Sequence, residues 1–123
     1  MAPTPRYVDG FVLPIPKKKL RAYRELAKKA GAIWRELGAL EYRECVGEDL
    51  DVKMGKSFPS TIKPKAGETV VFSWIAYKSR KHRDQVNARV MKDPRIAAMC
   101  GAKSMPFDPK RMLYGGFEVL VAR

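Results

Sequence analysis

Three acidic residues stand at strand-like positions with apolar neighbours. Each shares its side of the strand with a tyrosine, since side chains alternate along a strand; the pairs are Asp9 with Tyr7, Glu44 with Tyr42, and Glu118 with Tyr114. A carboxyl group in an apolar setting has a raised pKa and can serve as a base or orient a polar ligand. We therefore predict Asp9 and Glu44 as catalytic carboxylates.

The other polar residues on these strands are predicted to bind a ligand. They are expected to share one cavity if the tyrosine-bearing sides of the strands face each other; the set is Tyr42, Ser73, Tyr77, Tyr114 and Glu118. The alternative is structural, because acids at the rim of a sheet commonly form ion pairs. In that case Arg43, Arg111 or backbone amides would be the partners of the three acids.

His82 is the single histidine of the chain, and it adds a third candidate catalytic residue. It stands in the first turn of a predicted helix, on the same stripe as Val86 and Val90. A histidine that opens into a cleft between helix and sheet can act as a general base. The alternative is a packed histidine with satisfied hydrogen bonds, which the helical stripe explains equally well.

The sequence predicts neither a metal nor a cofactor. One histidine and two cysteines are too few for a structural zinc site of about four ligands. The chain has no GxGxxG or GxxxxGK[ST] motif for a dinucleotide or a nucleoside triphosphate. Cys45 and Cys100 lack CxxC spacing and are expected to be reduced thiols. Any reaction is therefore expected to be proton or oxygen chemistry without a cofactor, and whether the protein is an enzyme stays open.

The chain of 123 residues is predicted to form one domain over 1–123, and its net charge is +12. Two helix candidates, Ile15–Leu37 and Lys78–Arg95, carry eleven of these charges. Such faces commonly serve solubility, and the alternative is a module that docks on RNA through its phosphates. The start of the chain lacks the apolar stretch of a secretion signal and no apolar run is long enough to span a membrane, so we expect a cytoplasmic protein.

Periodicity predicts six elements in the order βαββαβ. They are a strand over Tyr7–Leu13 that Pro14-Ile15-Pro16 ends, a helix over Lys17–Leu37, a strand over Leu40–Val46, a strand over Thr69–Tyr77, a helix capped by Ser79 that ends at Asp93-Pro94, and a strand over Met112–Val121. The connection 48–67 is unusually long, so it holds a short strand or acts as a binding loop.

This order predicts an α+β, ferredoxin-like fold with an antiparallel sheet and both helices on one face. The strand Thr69–Tyr77 is apolar on both sides, and the sequence offers no third helix to cover the second face. An exposed apolar sheet is an association site. We therefore expect two chains to pack these faces together as a symmetric homodimer.

Short motifs distributed along the chain resemble one protein family. They are Tyr7-Val8-Asp9-Gly10-Phe11, Gly38-Ala39-Leu40, Glu44-Cys45, Phe72-Ser73-Trp74, Arg83-Asp84, Asp93-Pro94-Arg95, Met105-Pro106-Phe107-Asp108 and the stretch Lys110–Glu118. Together they resemble the YbaA-like family of small bacterial proteins, with Pro109 where that family's pattern has glycine. The resemblance implies a dimeric α/β barrel and leaves the chemistry open.

These observations favour a homodimeric α/β-barrel protein that binds a small organic molecule between sheet and helices. Two alternatives come from other functional classes. The first is a basic RNA-binding module, and the second is a structural or partner-binding dimer without a ligand.

Overall fold

The structure is a computed structural model that describes residues 3–101 and 105–123. The predicted α+β class is confirmed, and the six predicted elements occur in their predicted order, with two short helices in addition. The strands are β1 (Tyr7–Pro16), β2 (Glu41–Val46), β3 (Glu68–Tyr77) and β4 (Leu113–Glu118), and the helices are α1 (Leu20–Glu36), α2 (Phe58–Ile62), α3 (Arg80–Lys92) and α4 (Pro94–Met99). Short 3₁₀ turns at Lys17–Lys19 and Pro109–Arg111 precede α1 and β4.

The four strands form one antiparallel sheet in the order β2-β3-β1-β4. Asp9 lies opposite Ile75 on β3 and opposite Gly116 on β4. Ser73 lies opposite Phe11 on β1 and Glu44 on β2. Because residues that are directly opposite project to the same side, this register places Asp9, Glu44, Ser73 and Tyr114 on one face, which we call the inner face.

The prediction that prolines end the first strand is wrong, since β1 continues through Pro14 and Pro16. Strand β4 is the neighbour of β1 only as far as Val12, which lies opposite Leu113. Beyond that point one edge of β1 is free of a strand, and a proline without an N–H group is tolerated at a free edge. Strand β4 is also shorter than predicted and ends at Glu118.

Helix α1 covers the inner face with one apolar side. Tyr23, Ala27 and Ile33 are buried on it, in clusters with Leu13 and Ile75 of the sheet. The helix ends near Gly38, which has a φ of +124°. Only glycine adopts such a backbone readily, which explains why the helix ends here, close to the predicted end at Leu37.

Helix α3 also begins and ends where the sequence predicted. The side chain of Ser79 accepts a hydrogen bond from the His82 N–H as an N-cap. Val86 and Val90 are fully buried against the inner face. Asp93 then caps the short helix α4 by accepting from the Arg95 N–H.

The long connection between β2 and β3 contains a helix, so its prediction as a short strand is wrong. The side chain of Ser57 caps α2 by accepting from the Ser60 N–H. Phe58 of this helix meets Phe72 of β3 edge to face, with ring centroids 6.3 Å apart. The connection therefore reaches one edge of the sheet face that α1 and α3 leave uncovered, which we call the outer face.

The outer face exposes large apolar side chains. Phe72 is 43% exposed, Leu113 is 53% exposed and Phe117 is 62% exposed. Together with Val12 and Trp74 they line a shallow groove of about 670 Å³. Contiguous exposure of this kind is typical of an association surface.

The described ranges 3–101 and 105–123 hold no group of three or more metal-ligating side chains. Over the same ranges, no helix combines the length and apolar character needed to cross a membrane. Cys45 and Cys100 are free thiols, and both are exposed.

Candidate functional site

A cavity of about 420 Å³ lies between the inner face and helices α1, α3 and α4. Aromatic side chains form much of its wall, namely Phe11, Tyr23, Trp34, Tyr42, Phe107 and Tyr114. Four methionines contribute flexible apolar surface, namely Met91, Met99, Met105 and Met112. The size and the largely apolar wall suit a small organic molecule.

Five of the predicted site residues meet at this cavity. Asp9, Tyr42, Glu44, Ser73 and Tyr114 line it. Three other predicted residues are not among its lining residues, and these are Tyr77, His82 and Glu118. The five come from four strands and share a face because of the register of the sheet.

Glu44 forms one polar end of the cavity together with two phenols. The Tyr23 hydroxyl donates to Glu44 Oε1 at 2.6 Å, and the Tyr42 hydroxyl donates to Oε2 at 2.8 Å. Burial, and then the charge of Glu44, raises the pKa of both tyrosines well above the ordinary value. Both carboxylate oxygens therefore act as acceptors toward groups that stay protonated, which is the pattern of an ionised carboxylate.

Asp9 forms the other polar end and is 1% exposed. Its Oδ1 accepts from Arg83 Nη1 at 2.9 Å, and the same nitrogen donates to the Tyr114 hydroxyl at 2.8 Å. Burial raises the pKa of Asp9, and the Arg83 charge and hydrogen bonds from the side chains of Tyr114 and Asn87 oppose this effect. Asp9 is thus a buried carboxyl with a cationic partner and a phenol beside it.

Three residues of this arrangement escaped the sequence analysis. The sequence pattern places Tyr23 only within a predicted helix, and it places Arg83 and Asn87 on a helix whose charge indicates a solvated surface. A signal was present, because Arg83, Asn87 and Met91 recur at four-residue spacing and so share one side of α3. In the structure Asn87 and Met91 line the cavity, and Arg83 contacts two residues that do.

Tyr77 and Glu118 lie on the inner face but away from the cavity. Tyr77 is fully buried and its hydroxyl donates to Asn87 Oδ1 at 3.3 Å, so it orients a residue that lines the cavity. Burial is the main cause that raises the pKa of Tyr77. Glu118 lies opposite Tyr7 at the end of β4 and is exposed to solvent.

The two arginines named in the structural alternative have other partners. Arg43 pairs with Glu41 at 3.3 Å between Nε and Oε1. Arg111 pairs with Glu68 at 2.8 Å between Nη1 and Oε2. The acids of the cavity are thus held by Arg83 and by phenols instead.

His82 is engaged away from the cavity. Its Nδ1 accepts a hydrogen bond from the Lys78 N–H at 2.9 Å, and its ring packs edge to face against Tyr77. Burial, and then the charges of Lys78 and Arg89, lowers the pKa of His82. These contacts match the neutral ring, because protonation would remove the acceptor at Nδ1.

The lowered pKa of His82 predicts that the free energy of unfolding depends on pH. A histidine with a lowered pKa binds its proton less tightly in the folded state, so the free energy of unfolding falls as pH drops below the ordinary value of 6.5. The variant His82→Gln cannot titrate and is expected to lose less stability over the same range. Urea unfolding of both chains from pH 8 to pH 5 measures the difference, and parallel pH profiles would contradict the expectation.

The two polar ends are separated by strand geometry. Asp9 is on β1 and Glu44 is on β2, with β3 between them. Two interstrand spacings across the sheet and an offset of two residues along it place these backbones roughly 12 Å apart. Ser73 and Ile75 of β3 lie between the two acids, so the arrangement suits an elongated ligand with an apolar middle.

Comparison with known proteins identifies the family of the chain. Residues 6–109 match the family model described as "Protein of unknown function (DUF1428)". The chain is 46% identical over 116 residues to "Uncharacterized protein YbaA" of Escherichia coli strain K12, which covers 94% of this chain and 97% of that relative. The YbaA proteins of Escherichia coli O157:H7 and Shigella flexneri match with the same identity and coverage. The resemblance found in the sequence motifs is confirmed, and the chain belongs to the DUF1428 family, a bacterial family that includes YbaA.

Proposed function

We propose that this protein is a homodimeric α/β-barrel protein of ferredoxin-like topology that binds a small organic molecule between its sheet and helices. The observation that carries the proposal is the cavity of about 420 Å³ with apolar walls and polar groups from several strands. Ligand sites of small proteins commonly combine an apolar wall with a few placed polar groups.

Two features of the sheet support the proposed architecture. The strand order β2-β3-β1-β4, all antiparallel, is the order expected when two βαβ units interleave. The outer face exposes Phe72, Leu113 and Phe117, and α2 reaches this face only at its edge, where Phe58 contacts Phe72. A second copy of the chain, placed on the same face, would bury this surface symmetrically.

The chemistry that we propose for the cavity is proton transfer without a cofactor. Burial raises the pKa of Asp9 above its ordinary value, which favours a carboxyl group that accepts and returns a proton. Tyr114 contacts both Asp9 and Arg83, so a proton accepted at Asp9 would have a phenol beside it as a hydrogen-bond partner. Oxygen chemistry on a ligand carbanion belongs to the same proposal, since it begins with the same proton abstraction.

Filling the cavity is expected to weaken ligand binding by at least ten-fold. Ala30 of α1 lines the cavity, so the variant Ala30→Phe would place a ring in the space that a ligand needs. The matched control is Ala32→Phe, because Ala32 lies on the exposed side of the same helix. The measurement is fluorescence titration with the neutral apolar dye N-phenyl-1-naphthylamine. Equal affinity of both variants for the dye would show that the cavity is not the binding site.

RNA binding is the second candidate function, and one observation favours it. The exposed basic residues of α1 and of the turn before it form no ion pair within the described residues; these are Lys17, Lys18, Lys19, Arg21, Arg24, Lys28, Lys29 and Arg35. Such a surface can contact phosphates. The affinity for RNA should not change in Ala30→Phe, so the cavity-filling variant distinguishes RNA binding from ligand binding in the cavity.

A further inference from the structure

We infer that the ligand of the cavity is an organic cation, an amine or quaternary ammonium with an apolar body, whose charge lies against the Glu44 carboxylate. This inference rests on the proposed function, because it names the class of molecule that the same cavity binds.

Glu44 carries a charge that the described residues do not neutralise. Its two partners, Tyr23 and Tyr42, are neutral phenols, and it forms no ion pair among the described residues. Asp9 differs in this respect, since Arg83 pairs with it at 2.9 Å. A carboxylate that lines a cavity without a cationic partner is stabilised by a ligand that supplies one.

The basic side chains around Glu44 leave this charge unmatched. Arg43 follows Glu41 and Tyr42 on β2, but its Nε pairs with Glu41 and its side chain is 62% exposed. Arg24 and Lys28 of α1 line the neighbouring opening beside Glu44 without forming an ion pair with it. Arg43 is the one lysine or arginine among the described residues that line the cavity itself. Although the protein carries a net charge of +12, its cavity thus presents carboxylate and phenol oxygens.

The aromatic wall favours the same class of ligand. Tyr23 and Tyr42 hold the carboxylate from α1 and β2, and the ring of Trp34 lies 6.1 Å from that of Tyr42. The face of an aromatic ring attracts a cation, and the attraction is stronger where water is excluded. A site made of aromatic rings and the Glu44 carboxylate therefore binds a ligand with an ammonium group in preference to a ligand with a carboxylate or phosphate group.

The Asp9 end selects the other part of the ligand. Arg83 already neutralises Asp9, while Tyr114 and Asn87 offer neutral hydrogen-bonding groups beside it. This end therefore suits a hydroxyl or carbonyl group. The ligand class that results has an ammonium at one end, an apolar or aromatic middle, and a neutral polar group roughly 12 Å away.

The test compares three compounds of one shape by calorimetric titration of the full chain. They are phenethyltrimethylammonium, its neutral analogue with carbon in place of nitrogen, and 3-phenylpropionate. The cation is expected to bind at least ten-fold tighter than the neutral analogue, and the anion is expected to bind weakest. In Glu44→Gln the preference for the cation is expected to fall to within two-fold, while the affinity for the neutral analogue is retained. The matched control is Glu41→Gln on the outer face of the same strand, which should keep the preference.

The outcomes separate this inference from the function on which it rests. Equal binding of the cation and the neutral analogue, or tighter binding of the anion, would contradict the inference that the ligand is a cation. The cavity would remain the ligand site. If none of the three compounds binds, and Ala30→Phe binds the dye with unchanged affinity, both the cation inference and the proposed function are contradicted. The order of affinities in the unchanged chain decides the question even where Glu44→Gln does not fold.

Discussion

Replacement of Arg83 by methionine is expected to lower the free energy of unfolding by about 3 to 5 kcal/mol at neutral pH. The guanidinium pairs with Asp9, whose side chain is 2% exposed, and also donates to the hydroxyls of Tyr114 and Tyr7. Methionine matches the apolar length of arginine but leaves the Asp9 carboxylate buried without its cation. The loss of a partner for a buried charge is among the costliest single substitutions.

The cost of Arg83→Met is expected to depend on pH with a definite sign. An aspartate whose pKa is raised by folding binds its proton more tightly in the folded state, so its contribution to the free energy of unfolding falls as pH rises from the ordinary value of 3.8 toward the folded value. Removal of the Arg83 charge takes away a cause that lowers the pKa of Asp9, and the pKa then rises further. The variant should therefore be least impaired at acidic pH, where Asp9 is protonated, and most impaired above neutrality.

Two controls identify the buried charge as the cause. The double variant Asp9→Asn/Arg83→Met removes both charges and is expected to recover most of the lost stability and to abolish the pH dependence. Arg95→Met breaks an exposed ion pair with Glu36 and Asp93, and its effect is expected to be small. Urea unfolding of all three variants between pH 4 and pH 9 provides the measurement. A pH-independent loss in Arg83→Met would mean that lost packing, and not the charge of Asp9, sets its stability.

The strand residues of the site could be predicted from the sequence because strands have a fixed period. Alternation alone places Tyr7, Asp9 and Phe11 on one side of β1, and Tyr42 and Glu44 on one side of β2. The order of the elements then brings those sides together. Sequence reasoning could not say which of the acids would be buried, and the structure buries Asp9 while it leaves Glu118 exposed.

The helix residues of the site could not be predicted in the same way. Whether Arg83 points to solvent or to the sheet depends on the rotation of α3, which Val86 and Val90 fix only after packing. The end of β1 was missed for a related reason, because the tolerance of Pro14 and Pro16 depends on where β4 ends. The rotation of α3 and the end of β1 both depend on how the elements are arranged, and not on any local stretch of sequence.

Replacement of Phe117 by arginine is expected to convert the proposed homodimer to monomers and to raise the dissociation constant at least a hundred-fold. Phe117 is 62% exposed in the single chain and lies on the outer face beside Leu113. In a dimer that joins two outer faces, the substitution would place a guanidinium without a partner in each half of an apolar interface. A hundred-fold change corresponds to about 2.7 kcal/mol, which is within the cost of burying an unpaired polar group.

The matched control for this prediction is Leu120→Arg, since Leu120 is 95% exposed and lies beyond the end of β4. Sedimentation equilibrium at micromolar concentration should show dimers for the unchanged chain and for Leu120→Arg, and monomers for Phe117→Arg. A monomeric unchanged chain, or a Phe117→Arg chain that remains dimeric, would contradict the proposed interface. The monomer should stay folded, because Phe117 contributes little to the core of its own chain. Its cavity lies on the opposite face of the sheet, so its affinity for the neutral dye should match that of the dimer, which separates the roles of the two faces.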